Sequence, residues 1–203
     1  MTFDLYAALF VFAVIMAFTP GPNNTILMAS GIAHGWRRTL PTVFGVALGF
    51  PFLALCIGLG LGQLLEAVPG FHAVLKYGGA AYLIWLAWKI ASAGPSENES
   101  DASAKPLNFL QAMGFQWINP KAWIMAITAL SDYTLPGHYQ VGLVSVVGTF
   151  LFTGITSAST WAGFGAGIKN LLSDPRWLRP VNIGLAVLLL ASLAPQTAPA
   201  SGG

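Results

Sequence analysis

Charge is what this sequence has least of. Only 8% of its 203 residues are Asp, Glu, Lys or Arg, against roughly a quarter in soluble domains, and so few charges cannot clothe the surface of a water-soluble fold. The net charge of +2 is too small to grip a polyanion, which excludes nucleic acid as a partner. Cysteine is almost missing. Cys56 alone can make no internal disulfide, redox pair or thiolate cluster, and it is expected to be a small packing residue in a helix. The three histidines, His34, His72 and His138, fall in predicted loops, so a metal centre is not expected from them. An enzyme working in a membrane would need a nucleophile with its base, a carboxylate pair or a thiol pair at membrane depth. None is present, no glycine run has the arrangement of a phosphate-binding loop, and neither enzymatic activity nor a cofactor is expected.

What remains is apolar sequence, 55% of the chain. It comes in stretches at about 5–33, 40–65, 71–91, 107–130, 141–168 and 178–194, each long enough to cross a hydrocarbon core of roughly 30 Å as a helix. The prediction is an all-α integral membrane protein with about six transmembrane helices. The first stretch is expected to stay as a span, because a secretory signal would begin with positive residues where this chain has Asp4, and no convincing cleavage site follows. Residues 94–106, with Ser96, Glu97, Asn98, Glu99, Ser100 and Asp101, are too hydrophilic for lipid and read as a flexible linker. One transmembrane domain therefore divides into halves at 1–93 and 107–195, with a short tail at 196–203. Three spans per half is an odd number, so the repeats are inverted.

Basic residues set the orientation, because short cytoplasmic loops hold an excess of Lys and Arg. Arg37 and Arg38, Lys89 and Lys105, and Lys169, Arg176 and Arg179 all fall on one side; only Lys76 falls opposite, and Lys121 lies inside span four. Both termini are expected to face the periplasm. Trp36, Trp88 and Trp177 read as interfacial anchors beside those basic residues.

Two motifs interrupt the apolar pattern. Thr19-Pro20-Gly21-Pro22-Asn23-Asn24 sits inside the 29-residue stretch at 5–33, which would be roughly 43 Å long as one straight helix. Each proline removes a backbone donor and clashes with the preceding turn, while an Asn can cap a new helix, so two half-helices should meet there. Asn119-Pro120-Lys121 has the same grammar in span four, with a capping Asn and a proline where its missing N–H matters least. Helices 1 and 4 are thus expected to be broken at Pro20-Gly21-Pro22 and Asn119-Pro120-Lys121, at corresponding places in inverted halves. Paired interrupted spans of that kind point to a transporter's binding site, and an intramembrane lysine is by default functional.

These residues, together with Ser30-Gly31, Gly35-Trp36-Arg37-Arg38, Gly78-Gly79-Ala80-Ala81-Tyr82-Leu83, Leu86-Ala87-Trp88-Lys89 and Gln116-Trp117-Ile118-Asn119-Pro120-Lys121, resemble the LysE/RhtB superfamily of bacterial amino-acid exporters. Within it the sequence is most similar to the cysteine/O-acetylserine exporter type. The resemblance implies outward secondary transport of an amino acid or derivative across the inner membrane, coupled to protons, by a six-span inverted-repeat fold that can dimerise. Many members carry an acidic residue after the span-two glycine, where this chain reads Gly49-Phe50-Pro51. That departure argues against a dibasic substrate and for a small neutral one, of the cysteine/O-acetylserine or homoserine/threonine kind.

A zwitterion in the membrane needs both charges satisfied. The restarted helices and Lys121 are expected to take its carboxylate, carbonyls at Phe18 and Thr19 its ammonium, and Gln116 a polar side-chain group. Asn23, Asn24 and Asn119 complete the expected site. Asp4, Glu66 and Asp132 lie near span ends, where solvation explains them, although Asp132 is also a candidate proton or ammonium contact at the outer mouth. Thr153, Thr156, Ser157, Ser159 and Thr160 are expected to bond between helices or line the path. Glycines such as Gly45 with Gly49, or 163–167, read as close-packing positions. A passive structural subunit of a membrane assembly, or an exporter of another small solute, is the competing reading, and the former would need neither a midplane lysine nor paired breaks.

Overall fold

The computed structural model describes residues 2–61, 67–68, 70, 73, 77–92, 105–135, 137–169 and 175–192. Glu66, His72, Lys76, nearly all of the expected linker and the tail lie outside them. The described chain is helical, with no strand among the described residues. In chain order the helices are α1 (Phe3–Phe18), α2 (Pro22–Cys56, followed by a π-helical turn Ile57–Leu61), α3 (Gly79–Ala91), α4 (Phe109–Ile118), α5 (Pro120–Tyr133), α6 (Tyr139–Ile168) and α7 (Pro175–Ala191).

Local chemistry sets several of these limits. Thr2 Oγ1 accepts the Leu5 N–H at 3.4 Å and starts α1. Asn108 and Gln111 form a reciprocal capping box that starts α4, satisfying donors that no helical carbonyl can reach. α2 is two limbs rather than one rod, because Gly35 has φ 76° and ψ 172°, a left-handed φ that costs glycine alone little. The Ser30 and Thr39 hydroxyls meet across that turn at 3.0 Å.

The long helix α6 is the mast on which both limbs are hung. Gly165 lies against the Met28 backbone and Gly31 against the carbonyl of Ala162. Trp36 lies over Gly163, Ala47 over Gly154 and Gly58 against Leu143. From Ala17 to Gly31 the chain climbs α6, from Ser157 to Ala162 and Ala166, and from Ala47 to Gly58 it descends, from Gly154 to Leu143, so the two limbs are antiparallel. α4 runs along the second limb, where an added Cβ at Gly45 would meet Phe109 and Ala112 and one at Gly49 would stand 2.9 Å from Gln116 Cγ. Small residues let these backbones approach, as in membrane helix pairs. α3 and α7 pack together through Leu83, Ala87, Leu185 and Leu189, against Ile26 and Phe115.

Large apolar side chains also face outward from this bundle. Phe10, Phe44, Phe52, Ile84, Leu110, Val144 and Phe152 are all exposed, on different helices. A helix hydrophobic all round belongs in lipid or in the core of a large protein, and α2 and α6 are long and apolar enough to cross a membrane.

Candidate functional site

The site begins where hydrogen bonds of the helices run out. Pro20 and Pro22 have no N–H to offer the carbonyls four residues earlier, and α1 stops at Phe18 before α2 starts at Pro22. α4 likewise stops at Ile118, and α5 starts at Pro120 with Asn119 between them. The fold brings these two interruptions together.

Side chains from one interruption satisfy the other. Asn23 Nδ2 donates to Gln116 Oε1 at 2.9 Å, and Gln116 Nε2 returns a bond to Asn23 Oδ1 at 3.1 Å. Gln116 Nε2 also reaches the Ala112 carbonyl at 3.1 Å, and Asn119 Nδ2 approaches Asn23 Oδ1 at 3.4 Å. Gln116 is 0% and Asn119 1% exposed, with Asn23 half-buried beside them, and a buried amide that loses its partner costs about 1–3 kcal/mol. Beside this seam of amides, Lys121 Nζ donates to the Thr19 carbonyl at 2.9 Å, joining residues 102 apart.

Asn119 caps α5 as its sequence suggests: its Oδ1 accepts the Lys121 N–H at 3.2 Å, and its carbonyl receives the Ala122 N–H at 3.0 Å. Asn24 does the opposite of what was expected. No side chain caps the start of α2; Asn24 Nδ2 turns back and donates to the carbonyls of Ala17 at 3.0 Å and Thr19 at 2.9 Å. It therefore closes the end of α1 by donating to the carbonyls on either side of Phe18. Ser157, from the middle of α6, adds a bond from its Oγ to the Ala17 carbonyl at 2.7 Å.

A cavity of about 50 Å³ opens at this junction, room for roughly three to five waters. One wall is polar: Gly21, Pro22, Asn23, Asn24, Asn119 and Lys121. The other is apolar, with Met16, Leu27, Val46, Phe50, Met125 and Phe150, and Ser157 beside them. Phe50 and Phe150 meet at a tilt of 53° with ring centroids 4.7 Å apart. Among the described residues, no Asp or Glu belongs to the wall. Gly21 leaves room for the lysine, since a Cβ there would stand 3.0 Å from Lys121 Nζ and 3.1 Å from its Cδ and the side chain would have to shift.

Of the residues predicted for the site, Gly21, Pro22, Asn23, Asn24, Asn119 and Lys121 share the cavity wall. Gln116 stands behind it through Asn23, and Thr19 contributes its carbonyl. Pro20 and Pro120 shape the chain without lining the cavity, Pro120 lying against Gly79. Asp132 is exposed near the end of α5 and outside the cavity wall. Among the span-five hydroxyls, Thr153, Thr156 and Thr160 bond carbonyls of their own helix; Ser157 is the one that crosses to another helix and lines the cavity. Sequence reasoning missed Phe50, Phe150 and Met125 as wall residues, because an apolar side chain in an apolar span carries no local sign of facing a cavity.

A family model described as LysE type translocator matches residues 14–194. The chain is 34% identical over 192 residues to proteins named cysteine/O-acetylserine efflux protein from Escherichia coli strain K12 and from Shigella flexneri, with 94% of this chain and 96% of each relative covered. The same identity and coverage hold for the protein of that name from Escherichia coli O139:H28. No solved structure matches.

Proposed function

The chain belongs to the LysE type translocator family, and from that premise we propose that this multi-pass membrane protein exports a small neutral amino acid or derivative, of the cysteine/O-acetylserine or homoserine/threonine kind, across the bacterial inner membrane. Its relatives named for cysteine and O-acetylserine efflux support that substrate class. The observation that carries the reading is Lys121, a cation placed at the meeting of the two interruptions in a cavity that no carboxylate among the described residues lines. An ammonium has three N–H donors. One is given to Thr19, leaving two for a substrate carboxylate, and the uncapped start of α2 adds free N–H groups and partial positive charge. The N–H groups opening α5 are already taken by Asn119, so the carboxylate is drawn to the α2 side.

In this proposal α1 and the first limb of α2 are one broken transmembrane helix, and α4 and α5 its counterpart in an inverted second half. Antiparallel limbs hung on α6, and helix ends that meet at one cavity, support it. Alternating access then amounts to the halves rocking about the shared seam. A cavity of about 50 Å³ holds waters but must widen to admit an amino acid.

Proteoliposomes containing only this protein test the reading. They should move radiolabelled cysteine, and Lys121→Met should abolish that movement while the protein still inserts, since methionine keeps the length and loses the charge. Wild-type transport by Lys121→Met would reduce the lysine to an anchor. Proton coupling follows from the family resemblance; collapsing the pH gradient should then end concentrative export, and export continuing unchanged would refute it.

A further inference from the structure

On the reading of this cavity as the amino-acid site, Lys121 serves only the carboxylate half of the substrate. A zwitterion's ammonium needs acceptors, and two of the carbonyls at the end of α1, those of Ala17 and Thr19, already hold two donors each. A carbonyl oxygen has two lone pairs. Ala17 receives Asn24 Nδ2 and Ser157 Oγ; Thr19 receives Asn24 Nδ2 and Lys121 Nζ. The amide of Asn23 is likewise committed to Gln116 and Asn119.

The same bonds fix two oxygens as acceptors. Both partners of the Asn24 amide are carbonyls, which only accept, so its nitrogen must face them and its Oδ1 must point away. Oδ1 makes no hydrogen bond among the described residues, nor is it sealed in the interior without a partner. Ser157 must also donate to Ala17, which leaves the lone pairs of its Oγ unused. Asn24 is 6% and Ser157 3% exposed, both line the cavity, and both are held by the single Ala17 carbonyl. We infer that Asn24 Oδ1 and Ser157 Oγ form the seat of the substrate's ammonium, with Ser157 the residue that makes the site prefer zwitterions over simple carboxylates.

The test compares cysteine with 3-mercaptopropionate, which is cysteine without its amine, as competitors for transport of labelled cysteine in proteoliposomes. Ser157→Thr keeps the hydroxyl, and Ser157→Val has the same bulk without it, so packing effects cancel between them. Wild type and Ser157→Thr should prefer cysteine by about tenfold or more, the worth of a charged hydrogen bond, and Ser157→Val should lose that preference. An unchanged preference in Ser157→Val overturns the proposal. Should the added bulk prevent insertion, Ser157→Ala against wild type makes the same comparison. In Lys121→Met, where no transport is left to compete for, equilibrium binding of the two compounds to the purified protein should be weakened alike, because both carry the carboxylate. If binding of neither is weakened, the carboxylate reading fails by itself, and the Ser157 ratio still decides the ammonium seat.

Discussion

Gly21 has φ −172°, extended backbone that any residue adopts, so its side chain is absent for room. Gly21→Ala should push Lys121 off the Thr19 carbonyl and lower cysteine transport about tenfold, the loss of one charge-assisted bond, with little change in thermal stability; an equal fall in both would mark a folding defect instead. Gln116→Met should act the other way. It removes both bonds that join Gln116 to the half-buried Asn23 amide, and unfolding in detergent should show a loss of about 1–3 kcal/mol; an unshifted thermal midpoint would show that water replaces the missing partner. Much of the site's composition could be read from the chain, because proline and asparagine act on neighbouring backbone. The direction of their bonds could not. Asn119 caps the helix after it, whereas Asn24 closes the helix before it, and only the folded distances to Ala17 and Thr19 separate these roles. Ser157 was hidden for a related reason: it is one of five hydroxyls between 153 and 160, and what singles it out is a partner 140 residues away.

Helices meet through glycine at a few places and ignore it at others. An added Cβ at Gly45 would strike the Phe109 carbonyl and come within 2.7 Å of Ala112 Cβ, whereas one at Gly148 meets nothing within 4 Å. Gly45→Ala should therefore separate the second limb of α2 from α4, at a cost of about 1–3 kcal/mol or more. Gly148→Ala should be neutral or stabilising by up to about 1 kcal/mol through helix propensity. Thermal unfolding of the two variants side by side checks this; equal behaviour would mean that α4 is not held by backbone approach. Sequence alone marks all such glycines as packing residues and cannot rank them, because contact depends on which face the helix presents. Gly165 touches the Met28 backbone while Gly167, two residues on, meets nothing. Apolar stretches gave the existence of the helices in the same way, through length, but the expected loop between the first two spans contracted to a single residue at Gly35.

Across the whole molecule, the exposed Arg37, Arg38 and Lys169 gather at one end, where an added Cβ on Gly35 would lie 3.9 Å from Lys169 Nζ. Such an end is expected in the cytoplasm. A reporter fused after Gly203 should then register periplasmic, and one placed between 94 and 106 cytoplasmic; a cytoplasmic C-terminus would sink the six-span arrangement. The turn at Gly35 also bears on how the chain is made. It joins two antiparallel limbs that the Ser30 and Thr39 hydroxyls hold together, with no slack between them. As the ribosome delivers this region, the second limb cannot wait in water while the first is threaded, so the pair should leave the translocon as one hairpin, with Arg37 and Arg38 left on the side of synthesis.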